Sequence, residues 1–192
     1  MLPKIAFTIL ALTSTLVLAG NTIIANRCPY DIWLWSISTD NWGAPIHIPA
    51  YTKHTSPFRT SPTSLKISKT DQLILGKHTQ FEYSIVDNQL WYDISFVDCA
   101  NGQSASDCPG HDEGLVMDTT DGRCGRAECT AGAYCPTQAY YVDTPLRKLG
   151  IEEPVFTCPG AGTDMDLYMR MCASMAPVRR SVAGRVVMDG EE

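Results

Sequence analysis

The chain has 192 residues, eight cysteines and a formal net charge of -6 at pH 7. An acidic chain repels the phosphates of nucleic acids and the headgroups of anionic lipids, so neither nucleic acid nor membrane is expected as a partner. Without the N-terminal segment described next, the length fits one domain with a sizeable core.

The N-terminal segment, residues 1–20, is predicted to be a cleavable signal peptide. Lys4 is its single charge, an apolar run follows over residues 5–18, and the small residues Ala19 and Gly20 lie at the expected cleavage point. A membrane anchor is the alternative, but a run of about 14 residues is shorter than the roughly 20 that span a bilayer. The protein is therefore expected to be secreted, either outside the cell or in the cell wall.

The remaining chain has the pattern of a β-rich protein. Residues 30–37 are aromatic and β-branched, which suits a strand. Alternation of apolar and polar residues predicts further strands at 64–68, 79–86, 89–97 and 164–172. No segment carries a long 3.6-residue period, and glycine and proline are spread throughout. The expected fold class is all-β, a β-sandwich with disulfide-stapled loops.

Residues 100–135 are expected to be irregular, because Gly, Asp, Ser and Cys dominate there and apolar runs are absent. The predicted domain covers residues 21–173, and the polar residues 174–192 are expected to form a disordered tail. Arg179 and Arg180 in that tail form a dibasic pair at which a secretory protease would cut. A solvated, uncut tail is the favoured interpretation.

All eight cysteines lie downstream of the predicted signal peptide, and an even number in an exported chain predicts four disulfides. Spacing alone leaves 105 pairings open. A zinc site is the alternative, but no two cysteines have the spacing of a zinc ribbon, and the four histidines do not cluster with cysteines. No metal and no cofactor is therefore expected.

Glu82 and Asp93 are the one pair of residues whose predicted geometry suits catalysis or ligand binding. Asp87 and Asn88 fit a two-residue hairpin turn, which would place Glu82 directly opposite Asp93, with Cβ atoms about 4.5–5.5 Å apart. Mutual repulsion is expected to raise the pKa of one carboxyl group. Carboxylates about 5–5.5 Å apart serve a retaining glycosidase, and the same pair can accept sugar hydroxyls without bond cleavage. From register alone, two solvated carboxylates without a role remain the favoured interpretation.

Several stretches taken together resemble the thaumatin-like family. Residues 24–33 resemble its opening strand pair, with N-x-C followed by a tryptophan, and residues 81–83 and 91–98 resemble its central sheet, with Y-D-I-S intact. The closing segment is matched by residues 135–141 and 155–164. The pattern C-x4-C-x5-C-P, which ends at Pro136, is most similar to short fungal members of the yeast-phase-specific secreted antigen type.

The resemblance implies a β-sandwich and four disulfides. The implied pairs are Cys28–Cys172, Cys99–Cys108, Cys124–Cys158 and Cys129–Cys135. Many family members have an acidic cleft that is associated with β-1,3-glucan binding, and in some with weak glucanase or antifungal activity. Glu82 matches the cleft glutamate, and its three aspartates are matched by Asp93, Asp98 and Asp143. No arginine matches the cleft arginine; Arg59 is the nearest in sequence.

Three functions follow from this pattern. The first is a non-catalytic, monomeric protein that binds cell-wall β-1,3-glucan, another polysaccharide or a surface protein through the acidic residues. The second is a weak endo-β-1,3-glucanase with Glu82 as acid and Asp93 as nucleophile. The third is a secreted antigen or effector with a protein partner. The missing arginine and a shortened loop lobe at residues 100–129 leave the cleft open to water, which favours binding over catalysis.

Overall fold

The computed structural model describes residues 20–39, 41–159, 163–175, 180–182 and 185–187. The predicted signal peptide, except Gly20, and more than half of the predicted tail lie outside these ranges, so cleavage and tail disorder stay predictions. Within the tail, Arg180–Val182 pairs antiparallel with Arg185–Val187. Among the described residues, no helix has the length and apolar character needed to cross a membrane.

The described residues form fifteen strands and a single 3-10 helix at Leu146–Leu149. In chain order the strands are β1 (Asn21–Asn26), β2 (Ile32–Ser38), β3 (Asn41–Trp42), β4 (Ile46–Ile48), β5 (Thr52–Pro57), β6 (Thr63–Ser68), β7 (Thr79–Val86), β8 (Gln89–Ser95), β9 (Leu115–Thr119), β10 (Ala127–Cys129), β11 (Ala139–Tyr140), β12 (Phe156–Thr157), β13 (Leu167–Met171), β14 (Arg180–Val182) and β15 (Arg185–Val187).

Two sheets build a sandwich. One sheet has five strands in the order β10-β9-β13-β1-β5, and the other has eight, in the order β11-β8-β7-β6-β2-β3 with β12 beside β8 and β4 beside β2. Alternate side chains of both sheets meet in one buried cluster, which includes Ile24 and Met169 from the first sheet and Phe81, Tyr92 and Ile94 from the second. The predicted all-β sandwich is confirmed.

The predicted hairpin forms with the predicted register. Strands β7 and β8 pair antiparallel from Val86 opposite Gln89 onward. The connecting residues Asp87 and Asn88 have φ angles of 51° and 58°, the left-handed conformation that a type I′ turn requires at both central positions. Because the turn has two residues, every pair further along the hairpin is fixed by it.

The prediction that residues 100–135 lack regular structure is wrong. Strand β9 lies inside the five-stranded sheet, between β10 and β13. Its residues Leu115, Val116 and Met117 are all buried. An apolar run this short does not stand out in a segment rich in Gly and Asp, and it becomes a strand because β13, far along the chain, pairs with it.

The structure joins the eight cysteines in the four pairs that the resemblance implies. These are Cys28–Cys172, Cys99–Cys108, Cys124–Cys158 and Cys129–Cys135. The first links the ends of the parallel strands β1 and β13, at opposite ends of the domain sequence. The other three hold the loops around β9 and β10, where the sequence has little apolar surface of its own.

Candidate functional site

The outer face of the eight-stranded sheet carries the predicted site residues in rows across the strands. One row runs from Ile37 on β2 through Ser64 on β6 and Glu82 on β7 to Asp93 on β8. The next row contains Trp35, Lys66, Gln80, Ser95 and Tyr140. These side chains point away from the core because they alternate with the buried residues of the same strands.

Glu82 lies directly opposite Asp93, as the hairpin register predicts. Asp93 Oδ1 is buried and has no hydrogen-bond partner among the described residues. Burial, followed by the charge of Glu82, raises the pKa of Asp93 to about 8. Burial also raises the pKa of Glu82, although hydrogen bonding with Ser64 and the charge of Lys66 oppose that shift. At neutral pH the pair therefore holds a proton, and Asp93 carries it.

Asp98 belongs to a charged network beside this pair. Lys66 Nζ lies 2.9 Å from Asp98 Oδ2, and Nε2 of the buried His78 lies 2.6 Å from the same oxygen. Burial favours the neutral acid, but hydrogen bonds and charge from Lys66 and His78 outweigh it and lower the pKa of Asp98. Asp98 is therefore ionised, whereas Asp93 is protonated.

Lys66 is a cation beside these carboxylates that the sequence analysis did not include among the site residues. It lies on β6 next to the row that contains Glu82, and its charge acts on both Glu82 and Asp98. The signal was present, because the alternation of residues 64–68 turns Lys66 away from the buried Leu65 and Ile67. The family resemblance implies an arginine beside the carboxylates, whereas the cation found there is a lysine at an outward-facing strand position.

Asp143 lies near the carboxylates around Glu82, whereas Arg59 does not. Asp143 follows β11 in an exposed loop, and its charge reaches Glu82. The Arg59 guanidinium instead lies 3.4 Å from Ser38 Oγ, and Ser38 is on the opposite side of β2 from Ile37. The structure thus brings together Glu82, Asp93, Asp98 and Asp143. We call these four residues, together with Lys66 and Trp91, the acidic face.

Trp91 gives the acidic face an aromatic platform. It lies two residues before Asp93 on the same side of β8, and 38% of its surface is exposed. Tyr140 lies at the end of the neighbouring row, where its hydroxyl bonds to Glu153. Carboxylates, a lysine and an indole ring together suit a neutral polyhydroxyl ligand. In the described ranges, no three His, Cys, Asp or Glu side chains converge to hold a metal ion.

Comparison with known proteins identifies relatives of the whole domain. The family model described as Blastomyces yeast-phase-specific protein matches residues 9–173. A comparison with curated protein sequences finds no match. The protein elicitor MoHrip2 from Magnaporthe oryzae has a similar structure, with 20% identity, a TM-score of 0.60 and coverage of 80% of this chain and 99% of that chain. The thaumatin-like xylanase inhibitor TLXI is similar at 10% identity, with a TM-score of 0.52 and coverage of 79% and 98%.

Proposed function

Since the chain belongs to the Blastomyces yeast-phase-specific protein family and has a thaumatin-like fold, we propose that it is a secreted protein that binds cell-wall β-1,3-glucan through the acidic face without cleaving it. The observation that supports this most is the Glu82–Asp93 pair, which lies on the same side of β8 as the partly exposed ring of Trp91. Carboxyl oxygens accept hydrogen bonds from sugar hydroxyls, and a sugar ring packs against an indole.

The protonation of the pair favours binding over hydrolysis. A retaining glycosidase needs an ionised nucleophile and a protonated acid. Asp93, the expected nucleophile, has a pKa raised to about 8 by burial and by the charge of Glu82, so at neutral pH its neutral form is favoured over the ionised form that a nucleophile needs. Its Oδ1 is also buried, which keeps that oxygen away from a sugar carbon. The roles assigned from sequence would have to be reversed for catalysis.

A protein partner is the second candidate function. The segment around Asp143 exposes three large apolar side chains, Val142, Leu149 and Val155, with 40%, 60% and 37% of their surfaces accessible. Several exposed apolar side chains within one stretch of the chain favour a surface that binds other proteins. By their names, the two structural relatives are an elicitor and an inhibitor of an enzyme, which is the kind of role a secreted effector would have.

Trp91→Ala is expected to weaken retention on insoluble β-1,3-glucan by roughly tenfold, because it removes the stacking platform. Chitin and cellulose serve as competing solids in the same pull-down, and reducing sugar is assayed in the same tubes. Tyr134→Ala is the matched control, since Tyr134 is 45% exposed and packs against Tyr141 in the loops, outside the acidic face. Equal retention of all three proteins would remove the acidic face as the glucan site.

Glu82→Gln is expected to weaken glucan retention by about tenfold or more, because it removes a charged hydrogen-bond acceptor. Asp93→Asn is expected to have a much smaller effect, since the amide resembles the protonated acid that the parent already carries. Glu128→Gln, on β10 of the other sheet, is the control for loss of a carboxylate. If the parent releases sugar and Glu82→Gln does not, the function would be hydrolysis and not binding alone. Unchanged retention of Glu82→Gln would favour the protein partner.

A further inference from the structure

The outer face of the other sheet holds a second polar site, which we call the arginine pocket. It is a cavity of about 140 Å³ on the five-stranded sheet. Its wall includes Arg27, Arg126, Arg170, Val116, Glu128 and Ser174. No residue of the acidic face contributes to it, so it is a separate site on the opposite side of the sandwich.

Strand pairing positions the pocket. On β9, Val116 lies between Arg170 on β13 and Glu128 on β10, so these three side chains project from neighbouring strands. Val116 is 3% exposed and forms the floor. Arg27 follows β1 directly and extends its parallel pairing, because the Arg27 backbone N–H donates to the Met171 carbonyl at 3.2 Å.

Two of the three arginines are held in place by one carboxylate. Arg126 bonds to one oxygen of Asp118 and Arg170 bonds to the other. Arg126 Nε also donates to Glu128 at 2.9 Å. Arg27 forms no ion pair with any residue in the described part of the chain. Three guanidinium groups therefore meet two carboxylates, and one positive charge is left over at Arg27.

Ala173 and Ser174, which also line the pocket, are tied to the loop before β9. The backbone N–H groups of Ala173 and Ser174 donate to the carbonyls of Gly114 and Glu113 at 2.8 and 3.1 Å. Gly114 has φ 85°, and a Cβ there would lie 2.5 Å from Ser174 Oγ, so the two segments touch closely. Disulfides at Cys28–Cys172 and Cys129–Cys135 fix the chain on both sides of the pocket. A site that is built before the ligand arrives loses little entropy on binding.

We propose that the arginine pocket binds a small oxyanion, a phosphate, sulfate or carboxylate group, with Arg27 as its principal ligand. A guanidinium group offers paired N–H donors whose spacing matches two oxygens of such a group. Arg126 and Arg170, whose charges are matched by Asp118 and Glu128, add N–H donors from fixed positions, and the Ser174 hydroxyl adds a further donor. The cavity of about 140 Å³ suits a small oxyanion group.

The first test is a titration of sodium phosphate into the full oxidised protein at constant ionic strength. Binding is measured by NMR from the chemical shifts of the backbone amides. Saturable shifts are expected at Val116 and Ser174, with the Trp91 indole signal unchanged. Sulfate, glucuronate and glucose form the other arms: sulfate and glucuronate separate tetrahedral from planar oxyanions, and glucose is the neutral control. Shifts that never saturate with any of the three anions, or that match those seen with glucose, would overturn the proposal.

Arg27→Gln is expected to weaken phosphate binding at least about tenfold. The phosphate affinity of Arg27→Lys is expected to lie between those of Arg27→Gln and the parent, because the charge remains. The fold should survive both changes, since the Arg27 hydrogen bond in the ladder comes from the backbone. Arg147→Gln, at an arginine whose side chain is 81% exposed beside Glu153, is the matched control. Equal binding by the parent and Arg27→Gln would contradict the assignment of Arg27.

Discussion

Replacing Cys28 and Cys172 together with alanine is expected to lower the free energy of unfolding by about 5 kcal/mol in the chain-entropy account of disulfides. The two cysteines are 144 residues apart. Without their bond, the unfolded chain gains the conformational entropy that closing so long a loop removes. Both are fully buried at the ends of the parallel strands β1 and β13. A loss this large is comparable to the whole stability of many small domains.

The measurement is urea unfolding of the parent and the double variant, with the slope compared as well as the midpoint. The matched control is the pair Cys99→Ala and Cys108→Ala, where the separation is 9 residues and the expected loss is about 3 kcal/mol. Equal losses in the two variants would mean that local packing, and not loop closure, sets the contribution of Cys28–Cys172.

Asp93→Asn is expected to make the protein more stable than the parent at neutral pH and to flatten its pH dependence. In the folded parent, burial and the charge of Glu82 raise the pKa of Asp93 to about 8, from an ordinary value of 3.8. Between about pH 4 and pH 8 the folded state keeps a proton that the unfolded chain has lost. Stability therefore falls as the pH rises through this window, by at most about 5 kcal/mol. An amide has no proton to lose there.

Urea unfolding of both proteins at several pH values between 4.5 and 8 measures this effect. Glu82→Gln should also reduce the slope, although less, because it removes only the second cause of the shift and leaves the burial of Asp93. Glu128→Gln is the control, since its side chain is 53% exposed on the other sheet. If Asp93→Asn kept the slope of the parent, Asp93 would have to titrate near its ordinary pKa in the folded protein.

The acidic face could be predicted to a large extent because its central pair depends on local geometry. Asp87 and Asn88 tolerate the left-handed conformation, a two-residue turn sets the register, and the register sets Glu82 opposite Asp93. Local geometry does not show how deeply a side chain is buried. Only the folded structure shows that Asp93 Oδ1 is buried and unpaired among the described residues, and that Lys66 holds Asp98 ionised.

The all-β class and the hairpin that carries the acidic pair follow from local sequence patterns, and the four disulfides follow from the family resemblance. Alternation and turn residues act between near neighbours, so they can be recognised without knowing the rest of the fold. Only the folded structure shows that Leu115–Thr119 is an inner strand and that Arg27, Arg126 and Arg170 line one pocket. These features depend on the pairing of β9 with β13 and of β13 with β1, which joins segments from opposite ends of the chain and leaves no periodic trace in any one of them.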